Sequence, residues 1–199
     1  MEKPFIGAAD RNKKYILEQL IELFSDCDSV LELGSGTGQH AVYFVDELQH
    51  LCWQPSDLFA RLPGIAAWCG ESPANNLLPP IELDIRDWPK LGQKYHAIFA
   101  SNLVHYIEKR YLRVFFEESR KVLESGGILV LYGPFKQYNN YSSPADMQLD
   151  LMLRSENESF GIRTLEELVQ VAGQQGMDLF KLISMPANNK LVCWKERSE

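Results

Sequence analysis

The sequence has no apolar run of membrane-spanning length, no C-x-x-C pair and no block of basic residues. The first absence argues against a transmembrane helix, which needs about 20 consecutive apolar residues. Cys27, Cys52, Cys69 and Cys193 lack metal-ligand or redox-pair spacing, so they read as reduced, buried thiols, and no metal site is expected. With 20 Lys and Arg against 27 Asp and Glu, the net charge is -7, and the cations are dispersed. That balance offers no electrostatic footprint for nucleic acid or an anionic membrane. Met1-Glu2-Lys3-Pro4 leads into no apolar h-region, which predicts a soluble protein of a reducing, cytoplasmic compartment.

What is present is enough for one core: 199 residues at 45% hydrophobic content predict a single domain over 1–199. The chain is organised around Val30-Leu31-Glu32-Leu33-Gly34-Ser35-Gly36-Thr37-Gly38-Gln39-His40. An apolar run of strand length stops at alternate glycines, and a helical pattern of Ala41, Val42, Phe44, Val45 and Leu48 follows. Strand, tight turn and helix start make a nucleotide-binding turn, because glycine permits positive φ and close ligand approach while helix-start amides offer donors. The spacing Gly34-x-Gly36-x-Gly38 departs from the dinucleotide fingerprint G-x-G-x-x-G, in which the third glycine comes one residue later.

A first helix over 10–24 has Asp10 as its N-cap, with Arg11 and Asn12 either facing a cleft or lying in a solvated first turn. Leu51-Cys52-Trp53-Gln54-Pro55-Ser56-Asp57 reads as a strand ending in an acid. Ligands of parallel sheets bind at the carboxyl ends of strands, so Asp57 is placed to accept from ribose hydroxyls or to cap a helix over 58–69 with Phe59, Leu62, Ile65, Ala66 and Trp68 on the sheet. A third strand over 81–85 carries Asp84 and Ile85 at its end, with Trp88 nearby, and a fourth over 95–101 leads into Asn102-Leu103-Val104-His105. An unperturbed imidazole titrates near neutrality, so His105 is a candidate general base, or else a structural histidine.

A helix over 109–123 ends at Gly126-Gly127, and a fifth strand follows over 128–132. Residues 136–163 form a polar and aromatic insertion with helical spacing of Met147, Leu151 and Met152, expected to be a lid or a solvated excursion. Thr164-Leu165-Glu166-Glu167 is a capping box for a last helix to about Gln175. Two strand patterns flank Pro186-Ala187-Asn188-Asn189, and strands joined so closely must be antiparallel.

The glycine loop resembles motif I of class I S-adenosylmethionine (SAM) dependent methyltransferases. More narrowly, the chain is similar to the methyltransferase-like protein twenty-six group. The pieces that carry this are Ala8-Ala9-Asp10-Arg11-Asn12, the glycine loop, Trp53-Gln54-Pro55-Ser56-Asp57, Asn102-Leu103-Val104-His105, Leu131-Tyr132-Gly133-Pro134-Phe135, Asp150-Leu151-Met152-Leu153-Arg154 and Met185-Pro186-Ala187-Asn188-Asn189. One departure is Phe160-Gly161, where that group has tryptophan before the glycine.

The resemblance implies an α/β fold, a Rossmann-like doubly wound seven-stranded sheet with an antiparallel C-terminal strand. It implies SAM as cofactor and S-adenosylhomocysteine as product, held by Glu32, Gly34, Ser35, Gly36, Gly38, Asp57 and Asn102, with Asp84 and Ile85 at the adenine. Residues 1–27 become an N-terminal helical cap, His105 and Asn102 the catalytic candidates, and Arg11, Asn12, Tyr138, Tyr141 and Arg154 the contacts to a small acceptor. The chain lacks the Asp-Pro-Pro-Tyr, Asn-Pro-Pro-Tyr and Pro-Cys signatures of base methylation, so the first expectation is an oxygen, nitrogen or sulfur nucleophile on a small molecule, with protein methylation next. A catalytically silent SAM-binding protein and an NAD-dependent oxidoreductase stand as rivals, and the oligomeric state stays open.

Overall fold

The computed structural model describes residues 3–197, so Met1 and Glu2 of the expected leaderless start lie outside it. Seven strands, β1 (Ser29–Leu33), β2 (Cys52–Asp57), β3 (Ile81–Glu82), β4 (Tyr95–Ser101), β5 (Leu123–Pro134), β6 (Met177–Ser184) and β7 (Asn189–Glu196), form one sheet. Their order is β3-β2-β1-β4-β5-β7-β6, with β1 to β5 parallel and β7 antiparallel to both neighbours. The helices are α1 (Gly7–Leu23), α2 (Gln39–Glu47), α3 (Leu62–Cys69), α4 (Leu112–Val122), α5 (Pro144–Glu156) and α6 (Leu165–Gln174).

The parallel strands are apolar without alternation because both faces are covered. Leu31, Ile98 and Leu129 join Phe115, Phe116 and Leu168 of α4 and α6 in one core. Val30, Phe99 and Val130 join Leu20, Phe44 and Val45 of α1 and α2 in the other. Neighbours β1 and β4 thus send their following helices to opposite faces, and a crevice opens at their carboxyl ends.

Several elements differ from the sequence reading. α1 begins at Gly7, and Asp10 caps nothing but sits in the first turn against Lys13. β3 stops at Glu82, leaving Asp84 and Ile85 in a turn closed by Asp87 N–H donating to Asp84 O at 3.0 Å. The helix expected over 58–69 opens as the 3-10 turn Phe59–Arg61, and within α3 only Ile65 is fully buried. Gly126 and Gly127 belong to β5 instead of stopping α4, since a Cβ on Gly127 would lie 3.0 Å from His96 O. Cys52 is exposed.

The largest difference is in α5. Met147, Leu151 and Met152 face solvent, while Asp146, Asp150 and Leu153 are buried. The apolar spacing marks the outer face, because the inner face is chosen by the charged partners of Asp150.

Candidate functional site

The loop 34–38 owes its path to backbone space. Gly34 has φ of +66°, which favours glycine, and a Cβ there would lie 2.7 Å from Leu103 Cδ1, so the absent side chain lets Leu103 pack against the turn. Gly38 serves another purpose. It precedes α2 at φ of +87°, and its Cβ would meet Ile65 Cα at 3.2 Å, so it allows α2 and α3 to approach.

Two acids hold this loop, one from outside and one from beneath. Asp57 Oδ2 accepts from Gly36 N–H at 2.7 Å, and Oδ1 accepts from Leu58 N–H at 2.7 Å. Glu32 is buried and accepts from Ser35 Oγ–H at 2.8 Å and Trp53 Nε1–H at 3.2 Å. Burial raises its pKa to about 7, the Ser35 and Trp53 donors oppose the rise, and the Asp57 charge adds to it.

Above the loop lies a cavity of about 1310 Å³ at the carboxyl ends of the strands. Its wall carries Gly34, Ser35, Gly36, Asp57, Asp84, Ile85, Asn102 and His105, with Arg11 and Asn12 reaching in from α1. α1 is tied down by Asn12 Oδ1, which accepts from His40 Nε2–H at 2.7 Å, and by Ile6 N–H donating to Gln39 Oε1 at 2.7 Å. Drug-sized ligands occupy roughly 300–1,000 Å³, so this space suits a nucleoside-sized molecule and a second small one.

Six expected residues stand elsewhere. Glu32 lies under the loop and Gly38 at the helix contact, neither on the cavity wall. Tyr138 is exposed and off the wall. Tyr141 and Arg154 point to Asp150, whose Oδ2 accepts from Tyr141 O–H at 2.7 Å and Arg154 Nε–H at 2.9 Å. Trp88 packs against the core under β4 instead of entering the cavity. Asp84 is on the wall but already engaged, with Arg86 forked across both oxygens at 2.5 to 3.0 Å. Those hydrogen bonds keep its carboxyl below the usual range and ionised.

His105 is only 1% exposed, and neither ring nitrogen has a hydrogen-bond partner among the described residues. Burial, with the Arg163 charge, lowers its pKa to about 3, which removes the premise that it titrates near neutrality. A Cβ on Gly133 would lie 2.8 Å from His105 Nε2 and 3.1 Å from Asn102 Oδ1, so this glycine lets the two polar side chains pack closely against β5. Asn102 adopts φ of +56°, tolerated by asparagine, and its N–H donates to Tyr132 O at 2.8 Å.

The sequence reading missed His40, Tyr106, Leu149, Leu153 and Phe160, all on the wall. His40 had a signal, a polar residue in the first turn after the glycine loop. Tyr106 had one too, its place directly after His105 at the end of β4, whereas Leu149, Leu153 and Phe160 carried none, because their place depends on how 136–163 folds back.

The family model described as Protein of unknown function (DUF938) matches residues 3–196. Among solved structures, an O-methyltransferase family protein from Burkholderia thailandensis superposes with a TM-score of 0.83 at 14% identity, over 96% of this chain and 58% of that one. Human N-acetylserotonin methyltransferase in complex with SAM gives 0.82 at 12% identity, over 96% and 53%. An O-methyltransferase family 2 protein from Planctomyces limnophilus in complex with apigenin gives 0.75 at 13% identity, over 92% and 61%. At such identities the likeness shows a shared fold, the class I methyltransferase fold. The chain spans between half and two thirds of the length of these structures.

Proposed function

The chain belongs to the DUF938 family, and we propose that it is a SAM-dependent methyltransferase acting on an oxygen, nitrogen or sulfur of a small acceptor. The observation that carries this reading is the cavity itself: a glycine cradle and two ionisable strand-end acids at one end, and an unpartnered buried imidazole at the other. The residues fit the cofactor. Gly36, with open space where a Cβ would stand, leaves room for a ligand atom against the backbone, and Asp57 keeps lone pairs for a diol after accepting two amides. Ile85 is an apolar surface for a flat ring, and Asp84 serves the exocyclic amine only in exchange for part of its Arg86 contact.

When bound, SAM supplies an electrophilic methyl on a sulfonium. The chain's own part is alignment and exclusion of water. His105, held neutral by burial and unpartnered, is the group set to exchange one hydrogen bond with the protic group of the acceptor, and Asn102 stands beside it at Gly133. Leu149, Leu153, Tyr106 and Phe160 close that end against water. Residues 1–199 act as one unit, with 1–27 as a cap and the α5 segment as a lid. The narrower likeness to the methyltransferase-like twenty-six group fits this reading and rests on the quoted motifs.

Calorimetry with S-adenosylhomocysteine, SAM and NAD tests the cofactor. Submillimolar affinity for the first two and none for NAD is expected, and the reverse pattern ends the proposal. Asp57→Ala is expected to weaken S-adenosylhomocysteine binding by about 1 to 2 kcal/mol, and unchanged affinity would leave Asp57 with its loop role alone. Incubation with methyl-labelled SAM and cell extract separates an enzyme from a silent binder, which transfers no label.

A further inference from the structure

A second cavity of about 710 Å³ lies at the base of the 136–163 segment, beside α6 and outside the cleft described above. Its charged lining is Lys109, Lys136, Arg154 and Arg163 against Glu158 and Glu167, an excess of cations in a chain of net charge -7. Lys109 is used by Glu167 at 2.7 Å, and Arg154 by Asp150.

The other two cations have no carboxylate at hydrogen-bonding distance. Arg163 is buried and spends its guanidinium on the carbonyls of Val104, Ile107 and Ser159, so its charge meets dipoles and no hydrogen-bonded carboxylate. Lys136 is only 7% exposed, yet its ammonium makes no hydrogen bond among the described residues. The nearest carboxylate oxygen is Asp150 Oδ2 at 4.0 Å, and the Tyr141 ring centroid lies at 5.0 Å. Asp150 balances this charge at ion-pair distance but leaves the ammonium N–H groups without an acceptor, so an oxyanion entering the cavity gains close hydrogen bonds that Asp150 does not take. Burial lowers the Lys136 pKa.

The geometry points to an oxyanion site in this second cavity, taking a carboxylate or phosphate group of a small molecule, with Lys136 as its donor and Arg154 and Arg163 supplying fixed positive charge. Lys136 is anchored for this: its N–H donates to Arg163 O at 3.0 Å, and its O accepts from Leu165 N–H at 2.9 Å, so the side chain springs from paired backbone. Ser159 and Gln170 add neutral donors on the same wall. A ligand that binds the folded protein alone raises its melting temperature saturably.

The test is thermal unfolding of the full chain in increasing inorganic phosphate and, separately, acetate, each at ionic strength held constant with sodium chloride. A saturable rise with either anion, shifted about tenfold or more to higher concentration by Lys136→Met and restored by Lys136→Arg, is expected. Phosphate alone saturating identifies a phosphate ligand, and acetate alone a carboxylate ligand. No saturation with either anion, or a Lys136→Met response equal to wild type, overturns the site. If Lys136→Met loses its cooperative transition, Arg154→Gln at a more exposed position takes the same test with the same expectation. S-adenosylhomocysteine affinity, unchanged in these variants, keeps the result separate from the methyl-transfer reading.

Discussion

On the glycine-loop side of the cleft, position is set by backbone: Gly34 and Gly36 at positive φ, an amide held by Asp57, and a buried acid beneath. On the lid side it is set by charge, through Asp150, which receives Tyr141, Arg154 and the Ile162 amide. The first arrangement binds by shape and leaves lone pairs over. The second spends its polar groups on its own folding and offers the cleft mainly apolar side chains. This division is what the proposed methyl transfer asks for, one end of the cavity receiving the same cofactor each time and the other a particular acceptor.

Glu32 offers the strongest way to break the comparison. Its folded pKa near 7 stands above the ordinary glutamate value of 4.5, so burial favours the protonated carboxyl in the fold. The stability this contributes is fully present below the unfolded pKa and is lost as pH rises through the folded one. Glu32→Gln keeps an acceptor for Ser35 or Trp53 without that titration. The gap in unfolding free energy between variant and wild type is expected to move by about 3 kcal/mol in favour of the variant from pH 4 to pH 8. Denaturant titrations at both pH values read it, and a constant gap would mean that the loop rests on a permanently ionised acid.

His105 sharpens the other end. His105→Leu removes two buried ring nitrogens that have no partner, so stability is expected to hold or rise. Turnover of any identified acceptor is expected to fall about 100-fold, since the acceptor loses its orienting contact. S-adenosylhomocysteine affinity should change little. A variant with full turnover, measured beside its melting temperature, would make His105 a packing residue.

The smallest effect concerns the outer face of α5. Leu151→Gln is expected to alter stability by no more than about 0.5 kcal/mol, because the side chain is 60% exposed. A larger loss in denaturant titration would show that this face is covered in solution.

The strand and helix order was legible because both sheet faces are buried, which writes apolar runs into β1, β4 and β5 and helical spacing into α2 and α4. The hairpin of β6 and β7 was legible from the shortness of its turn. Asp57, Asn102, Arg11 and Asn12 could be placed because strand ends and the first helix converge on one rim. The lid could not be read. Its helix buries Asp150 and exposes Leu151, a choice made by Tyr141, Lys136 and Arg154, which lie up to fourteen positions away in sequence. Glu32 was assigned to the cofactor because its place before the glycines is the same whether it points up or down. Spacing does not distinguish Gly36, which faces open space, from Gly34 and Gly38, which make room for the Leu103 side chain and for a helix.

Residues 144–163 form a partition: Leu149, Leu153 and Phe160 line one chamber, while Arg154, Glu158 and Ser159 line the other. A wall with an occupant on each side works as a balance beam. Whatever free energy one guest spends in shifting it is returned, in equal amount and sign, to the affinity of the other.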